Sequence, residues 1–190
     1  EQPVLLPISH STFNAQIEVD LDEEGNFIDS RKVEKGDAVT IIPVTEDSAA
    51  KANGNFPHPL CDKLCYVAGD YSSYTGDGSE EYYEAYIQQL KEWVDSEDSY
   101  YMVKAIYLYL IKGTLIQDLV RTHSLELNED GMLTDAIKIQ SLGQTGANVR
   151  FRVYGKGRNE ETAVWKNHTM YQQFIKFYSK RAGVPGLCYA

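Results

Sequence analysis

Residues 15–21 alternate small or apolar with polar side chains: Ala15, Ile17, Val19 and Leu21 against Gln16, Glu18 and Asp20. That period of two predicts a half-buried strand. Asp22-Glu23-Glu24-Gly25-Asn26 supplies turn chemistry, with Gly25 free to take positive φ, and Phe27-Ile28 opens a return strand. Val39–Val44 is β-branched and predicts a third, more buried strand. The pattern then lapses. Thr45–Pro59 is small, polar and marked by Gly and Pro, a long loop of the kind that often carries function. Leu60–Gly69 is a short apolar element, and Tyr71–Gly78 a second polar loop. From Ser79, a candidate N-cap, the period becomes helical through Glu97, with Tyr82, Tyr83, Tyr86, Ile87, Leu90, Trp93 and Val94 as its apolar positions. Glu80, Glu81 and Glu84 sit where the helix dipole favours anions. Ser99–Lys112 predicts a second helix ended by Gly113, and Thr114–His123 a short third one. Leu125–Leu133 predicts a hairpin, and Ile137–Gly146 has no decisive pattern.

The chain closes on a strand and a helix. In Asn148–Tyr154, Val149, Phe151 and Val153 face one way, and Arg150, Arg152 and Tyr154 the other. Gly155–Asn159 is a basic glycine loop. Glu161–Arg181 predicts a long amphipathic helix, ended by Gly183 and Pro185. The fold class is therefore α+β: an N-terminal antiparallel or mixed sheet with hairpins, then a helical segment, then a C-terminal strand–helix unit. We expect residues 1–190 to form one domain, mainly β over 1–70, helical over 79–123, β over 124–155 and helical over 161–182.

Charge divides the chain. The formal net charge is −10, which argues against simple nucleic-acid binding. Residues 1–100 carry six basic and twenty-one acidic side chains, residues 101–190 twelve basic and seven acidic. One part of the molecule can face phosphate while another faces water or a basic partner. The longest apolar run, Met102–Ile111, is interrupted by Lys104 and too short to cross a bilayer. Three cysteines without scaffold spacing fit a reducing cytoplasm. The chain starts at Glu1 and stops in mid-pattern at Ala190, so we expect a fragment of a longer protein.

Motifs for catalysis are missing: no Gly-x-Ser-x-Gly elbow, no phosphate loop, no dinucleotide fingerprint. His10 lies between Ser9 and Ser11, but neighbours in a strand point to opposite faces and form no nucleophile–base pair. His58, Cys61 and Cys65 have metal-like spacing. Their fourth ligand is unassigned among His10, Asp62 and Cys188, and a buried cysteine pair beside a loop histidine is the simpler reading. We expect no bound metal and no cofactor. Two surfaces are candidates for nucleic acid. Gly155-Lys156-Gly157-Arg158, with Arg150 and Arg152 on one face of the adjoining strand, places four cations to line one side of a surface. In the Thr45–Pro59 loop, Asn53 and Asn55 suit base edges and Lys51 suits phosphate or a base acceptor. An ordinary tight turn at Asn53-Gly54-Asn55 is the alternative there.

Several segments, taken in order, resemble a known family. They are Leu6–Thr12, Ala15–Val19, Ile41–Ser48, Pro57–Lys63, Tyr66–Tyr71, Lys112–Ile116, Val149–Val153 and the closing Gly-Leu-Cys-Tyr run. Together they resemble the N-terminal part of the large subunit of the type I-C CRISPR Cascade complex, whose members extend beyond both ends of this chain. The resemblance implies a non-catalytic module. It would read the protospacer-adjacent motif (PAM) of target double-stranded DNA and help start the R-loop, leaving sequence identity to RNA–DNA pairing. Implied partners are the crRNA-bound subunits, above all the one holding the crRNA 5′ handle, and a recruited helicase-nuclease that cuts. With that role in view, Lys51, Asn53, Asn55, Lys63, Arg150, Arg152, Lys156 and Arg158 are the candidate DNA contacts. The acidic helices suggest a second reading, a protein-docking module without base contacts.

Overall fold

The computed structural model describes residues 5–50 and 53–182. Its strands are β1 (His10–Asn14), β2 (Ile17–Asp22), β3 (Phe27–Lys32), β4 (Val39–Pro43), β5 (Lys138–Ile139), β6 (Leu142–Gly143) and β7 (Val149–Tyr154). Its helices are α1 (Glu46–Ala49), α2 (Leu64–Val67), α3 (Tyr71–Thr75), α4 (Glu80–Val94), α5 (Tyr101–Leu110), α6 (Leu115–Arg121) and α7 (His168–Arg181). The α+β class and its order, sheet first, helices next, strand and helix last, are as the sequence predicts.

The strand pairing is less direct than the sequence suggests. β2 and β3 form the expected hairpin, but β4 does not extend it; β4 pairs antiparallel with β1 instead. The free edge of β2 is taken by β7, parallel, with Ile17 opposite Val149 and Leu21 opposite Val153. Both strands bury their alternating apolar set completely: Ile17, Val19, Leu21, Val149, Phe151 and Val153 are all 0% exposed. That face packs against α5, which in turn packs on α4. Trp93 of α4 meets Phe174 of α7 edge-on and stacks on Phe177, so the C-terminal helix closes the same core. At the hairpin tip Gly25 has φ +80°, and a Cβ there would lie 2.8 Å from the Ala105 carbonyl oxygen and the Leu108 Cβ. Only glycine lets the turn sit this close to α5.

Three local expectations need correction. The Tyr71–Gly78 loop contains α3, and the Thr45–Pro59 loop contains α1. The Leu125–Leu133 hairpin is reduced to one bridge, Leu127 to Leu133, around a turn in which the Asn128 side chain accepts from the Asp130 and Met132 amides. The helix expected from Glu161 starts only at His168. Before it, the Val153 amide donates to Thr162 O at 2.9 Å, Ala163 bridges Arg152, and Val164–Lys166 makes a single 3-10 turn. Asn167 then caps α7, accepting from the Met170 amide at 3.0 Å. Ser79 precedes α4 as expected, yet its buried hydroxyl has no hydrogen-bond partner among the described residues.

Candidate nucleic-acid interface

The Thr45–Pro59 loop is pinned at several points. Thr45 and Ser48 form a reciprocal capping box at the start of α1. At the far end, the Asp62 carboxylate accepts from the amides of His58 and Lys63, each at 2.7 Å. Asp62 is 4% exposed, and burial pushes its carboxyl up to about 6 despite those two donors. In between, Asn55 donates its side-chain amide to Glu81 O of α4 at 3.0 Å. Its buried Oδ1 has no hydrogen-bond partner among the described residues. Asn53 is exposed, and Lys51 lies outside the described residues. The loop, Lys63 and Asn148 wall a cleft of about 350 Å³, with Gly54, Phe56 and His58 on the loop side and Tyr66 behind. Phe56 is 38% exposed there.

The structure thus brings Gly54 and Lys63 together at one cleft beside Asn53. Asn55 turns inward, to the protein.

The second candidate surface divides. Arg150 is 5% exposed. Strand register sets Glu18 opposite Arg150 and Asp20 opposite Arg152 across β2 and β7, and Glu18 opposite Arg31 across β2 and β3. Arg150 bonds Glu18 at 3.0 Å, donates to Asp37 O and Thr40 Oγ1 at 2.9 Å each, and lies 4.1 Å from the centre of the Trp165 ring. Burial lowers its pKa more than Glu18 raises it. Arg152, one quarter exposed, lies 5.2 Å from the same ring and 3.5 Å from Glu18. Arg31 closes the other side, paired with Glu18 and Asp20.

Beyond the strand, Gly157 takes φ +69° in the glycine loop. Arg158 stacks 4.0 Å over Tyr101 and reaches Glu23 and Glu160 at 3.5 and 3.9 Å. Lys156 is exposed. The expected row of four cations on one surface therefore does not form. Arg150 is internal, Arg152 opens into a cleft beside Trp165, and Lys156 and Arg158 sit past the end of β7. At Arg150 the outward face of β7 is covered by Trp165, from the segment before α7, while Tyr154 on the same face stays 44% exposed.

Sequence reasoning missed Arg31, Lys32, Trp165 and Lys166, which line that cleft with Arg152. One signal was available. The polar face of 15–21 is acidic and the polar face of 149–153 is basic, a complementarity that fits neighbouring strands.

The remaining candidates are His10 and the cysteines. The His10 ring contacts the Ile8 carbonyl oxygen at 2.8 Å and packs edge-on against Tyr171 and Phe174; burial lowers its pKa. Burial raises the Cys61 thiol to about 12 and the Cys65 thiol to about 11. Among the described residues no three His, Cys, Asp or Glu side chains are grouped to hold a metal ion; Cys188 lies outside them. No helix among the described residues is long and apolar enough to cross a membrane.

No curated protein matches the chain. A family model described as CRISPR-associated protein (Cas_Csd1) matches residues 1–190. The match covers the pinned loop, the charged sheet and the closing strand–helix unit alike, and by it the chain belongs to the Cas_Csd1 family of CRISPR-associated proteins.

Proposed function

We propose that this chain is the DNA-recognition part of the large subunit of a type I-C Cascade, a crRNA-guided complex of antiviral defence, and that it works without catalysis. It reads the PAM of duplex DNA and helps open the R-loop. The observation that carries this reading is the Thr45–Pro59 loop. A capping box shapes its start, and an Asp62 clamp, the Asn55 tether and a bond from the Glu46 amide to the Tyr178 hydroxyl hold it to the body, yet Asn53 is left exposed beside a cleft walled by Lys63. Tethers of that kind at its described residues let the loop offer short polar groups to a groove edge at a lower ordering cost on binding. In this reading Asn53 and Lys51 face bases or phosphate, Lys63 contacts phosphate, and Asn55 acts by holding the loop. Lys156 and Arg158 contribute charge at the rim.

The test is an assembled crRNA-loaded complex carrying Asn53→Ala, titrated on duplexes that differ only in the PAM. The difference in affinity between the two duplexes should shrink by about 1–3 kcal/mol, the worth of one good paired base contact. Lys156→Ala with Arg158→Ala should weaken both duplexes alike and flatten the salt dependence. If Asn53→Ala weakens both duplexes equally, the loop does not read sequence.

A further inference from the structure

The cleft between the outer face of the β3–β2–β7 sheet and the Val164–Lys166 turn lies apart from the loop and has a volume of about 530 Å³. Its charges are layered. The carboxylates that neutralise the arginines, Glu18 and Asp20, are 5% and 4% exposed, beneath the surface. The cations lie above them. The Arg31 and Arg152 side chains are 43% and 25% exposed, and Lys32 and Lys166 are exposed with no side-chain partner among the described residues. A ligand approaching from solvent meets these four cations together with two exposed carboxylates, Glu34 and Asp37, a local excess of positive charge on a chain whose net charge is −10.

The arginines are also oriented in advance. A guanidinium has five N–H donors. Arg31 directs its donors at Glu18 and Asp20, and Arg152 gives one to Thr162 Oγ1 at 2.7 Å while its Nε leans on Glu18. Their other side-chain N–H groups have no acceptor among the described residues. Glu18 and the Trp165 ring hold the forks in place, so little side-chain entropy is left to lose on binding. Glu34 and Asp37 line the same cleft and limit how far its positive charge extends.

We propose that this cleft binds the phosphodiester backbone of a nucleic-acid strand, with Arg31, Lys32, Arg152 and Lys166 as the phosphate contacts. Glu18 and Arg150 are positioning residues. The choice of nucleic acid over an acidic peptide rests on the DNA-recognition reading; the cleft itself does not depend on the loop.

The experiment is a fluorescence-anisotropy titration of a labelled 20-nucleotide mixed-sequence single strand, without a PAM, by the full chain at several salt concentrations. Lys32→Gln with Lys166→Gln removes two exposed side chains outside the ion-pair network, so folding is preserved. This pair should lose about tenfold in affinity at low salt, and the slope of log K against log salt should fall by roughly 1.4, about 0.7 per single-strand phosphate contact. Lys138→Gln with Lys176→Gln, exposed cations elsewhere, should stay within about twofold of wild type. In a Trp93→Phe background the remaining indole, Trp165, should change its emission as the strand binds.

Equal losses in the two double variants, or no binding by wild type at low salt, would overturn the proposal. So would polyglutamate binding more tightly than the strand with the same lysine dependence. Because the probe has no PAM, the outcome is separable from the loop reading. PAM discrimination lost without effect on this titration concerns the loop alone, and the converse concerns the cleft alone.

Discussion

Glu18 and Arg150 form the pair whose disruption tests the account of the sheet most severely. Both are 5% exposed, but they are not equivalent. Glu18 is shared by Arg31, Arg150 and Arg152, whereas Arg150 has a single carboxylate partner. Glu18→Leu therefore leaves a buried guanidinium with two neutral acceptors, Asp37 O and Thr40 Oγ1, an indole face and no counter-charge. Breaking a buried ion pair from one side costs about 3–5 kcal/mol. Arg150→Met leaves Glu18 with its other two arginines and should cost only about 1–2 kcal/mol. In Glu18→Leu with Arg150→Met, Arg31 keeps Asp20 and Arg152 keeps Thr162. The double variant should then fall within about 2 kcal/mol of wild type, since replacing both partners by apolar groups of similar size is often nearly neutral. The measurement is urea unfolding followed by circular dichroism, with the double-mutant cycle read at constant m-value. A favourable coupling of about 2 kcal/mol or more is expected. If Glu18→Leu costs less than about 1 kcal/mol, or the double variant loses the sum of the single losses, the pair does not have the role assigned to it.

Two further perturbations probe the loop clamp and the hairpin tip. The Asp62 carboxyl titrates higher folded than unfolded, so the folded state binds its proton more readily, and the group opposes folding above about pH 6. That opposition is relieved as pH falls from about 6 towards 4. Relative to Asp62→Asn, wild type should gain thermal stability between pH 7 and pH 5, and parallel melting curves across that range would count against the burial argument. Gly25→Ala places a methyl group against the Ala105 carbonyl and the Leu108 Cβ at positive φ. It should cost on the order of 1–3 kcal/mol in the same urea assay, and a neutral result would mean the tip is not packed as described.

The parts of this molecule that were legible are those in which one strand or helix carries its own pattern. The alternations at 15–21 and 149–153 predict β2 and β7 with the correct inward residues, and the spacing from Tyr82 to Val94 predicts α4 and its buried Tyr86, Leu90 and Trp93. What was not legible depends on a second layer. Alternation places Arg150 on the face opposite Phe151, but it cannot say that Thr40 and Trp165 cover that face. The helical period of 161–181 runs on through Ala163 and Val164, so it hides the Asn167 cap; the bridge from Arg152 to Ala163 holds that stretch extended. Without the cap, Trp165 is read as a helix position rather than as the surface on which two arginines rest. The loop was visible as a lapse in pattern, while its tethers were not. Asn55 reaches a backbone carbonyl of α4, and Asp62 a backbone amide four residues back. Neither kind of contact leaves a trace in side-chain periodicity.

The parallel pairing of β2 with β7 has a consequence for biosynthesis. Residue 18 meets residue 150 across a separation of 132 positions. The β2–β3 hairpin is complete at Lys32 and β7 begins at Val149, so at ribosomal speeds of about 5–20 residues per second it waits roughly 6–23 seconds for its third strand. During that interval β2 is an open edge, the part of a nascent sheet most prone to pair with another chain. Glu18 and Asp20 interrupt its apolar sequence at alternate positions throughout the wait. The two carboxylates, with Arg31 of the same hairpin as their early counter-charge, therefore act first as gatekeepers against intermolecular strand addition, before Arg150 and Arg152 have been translated to join Glu18.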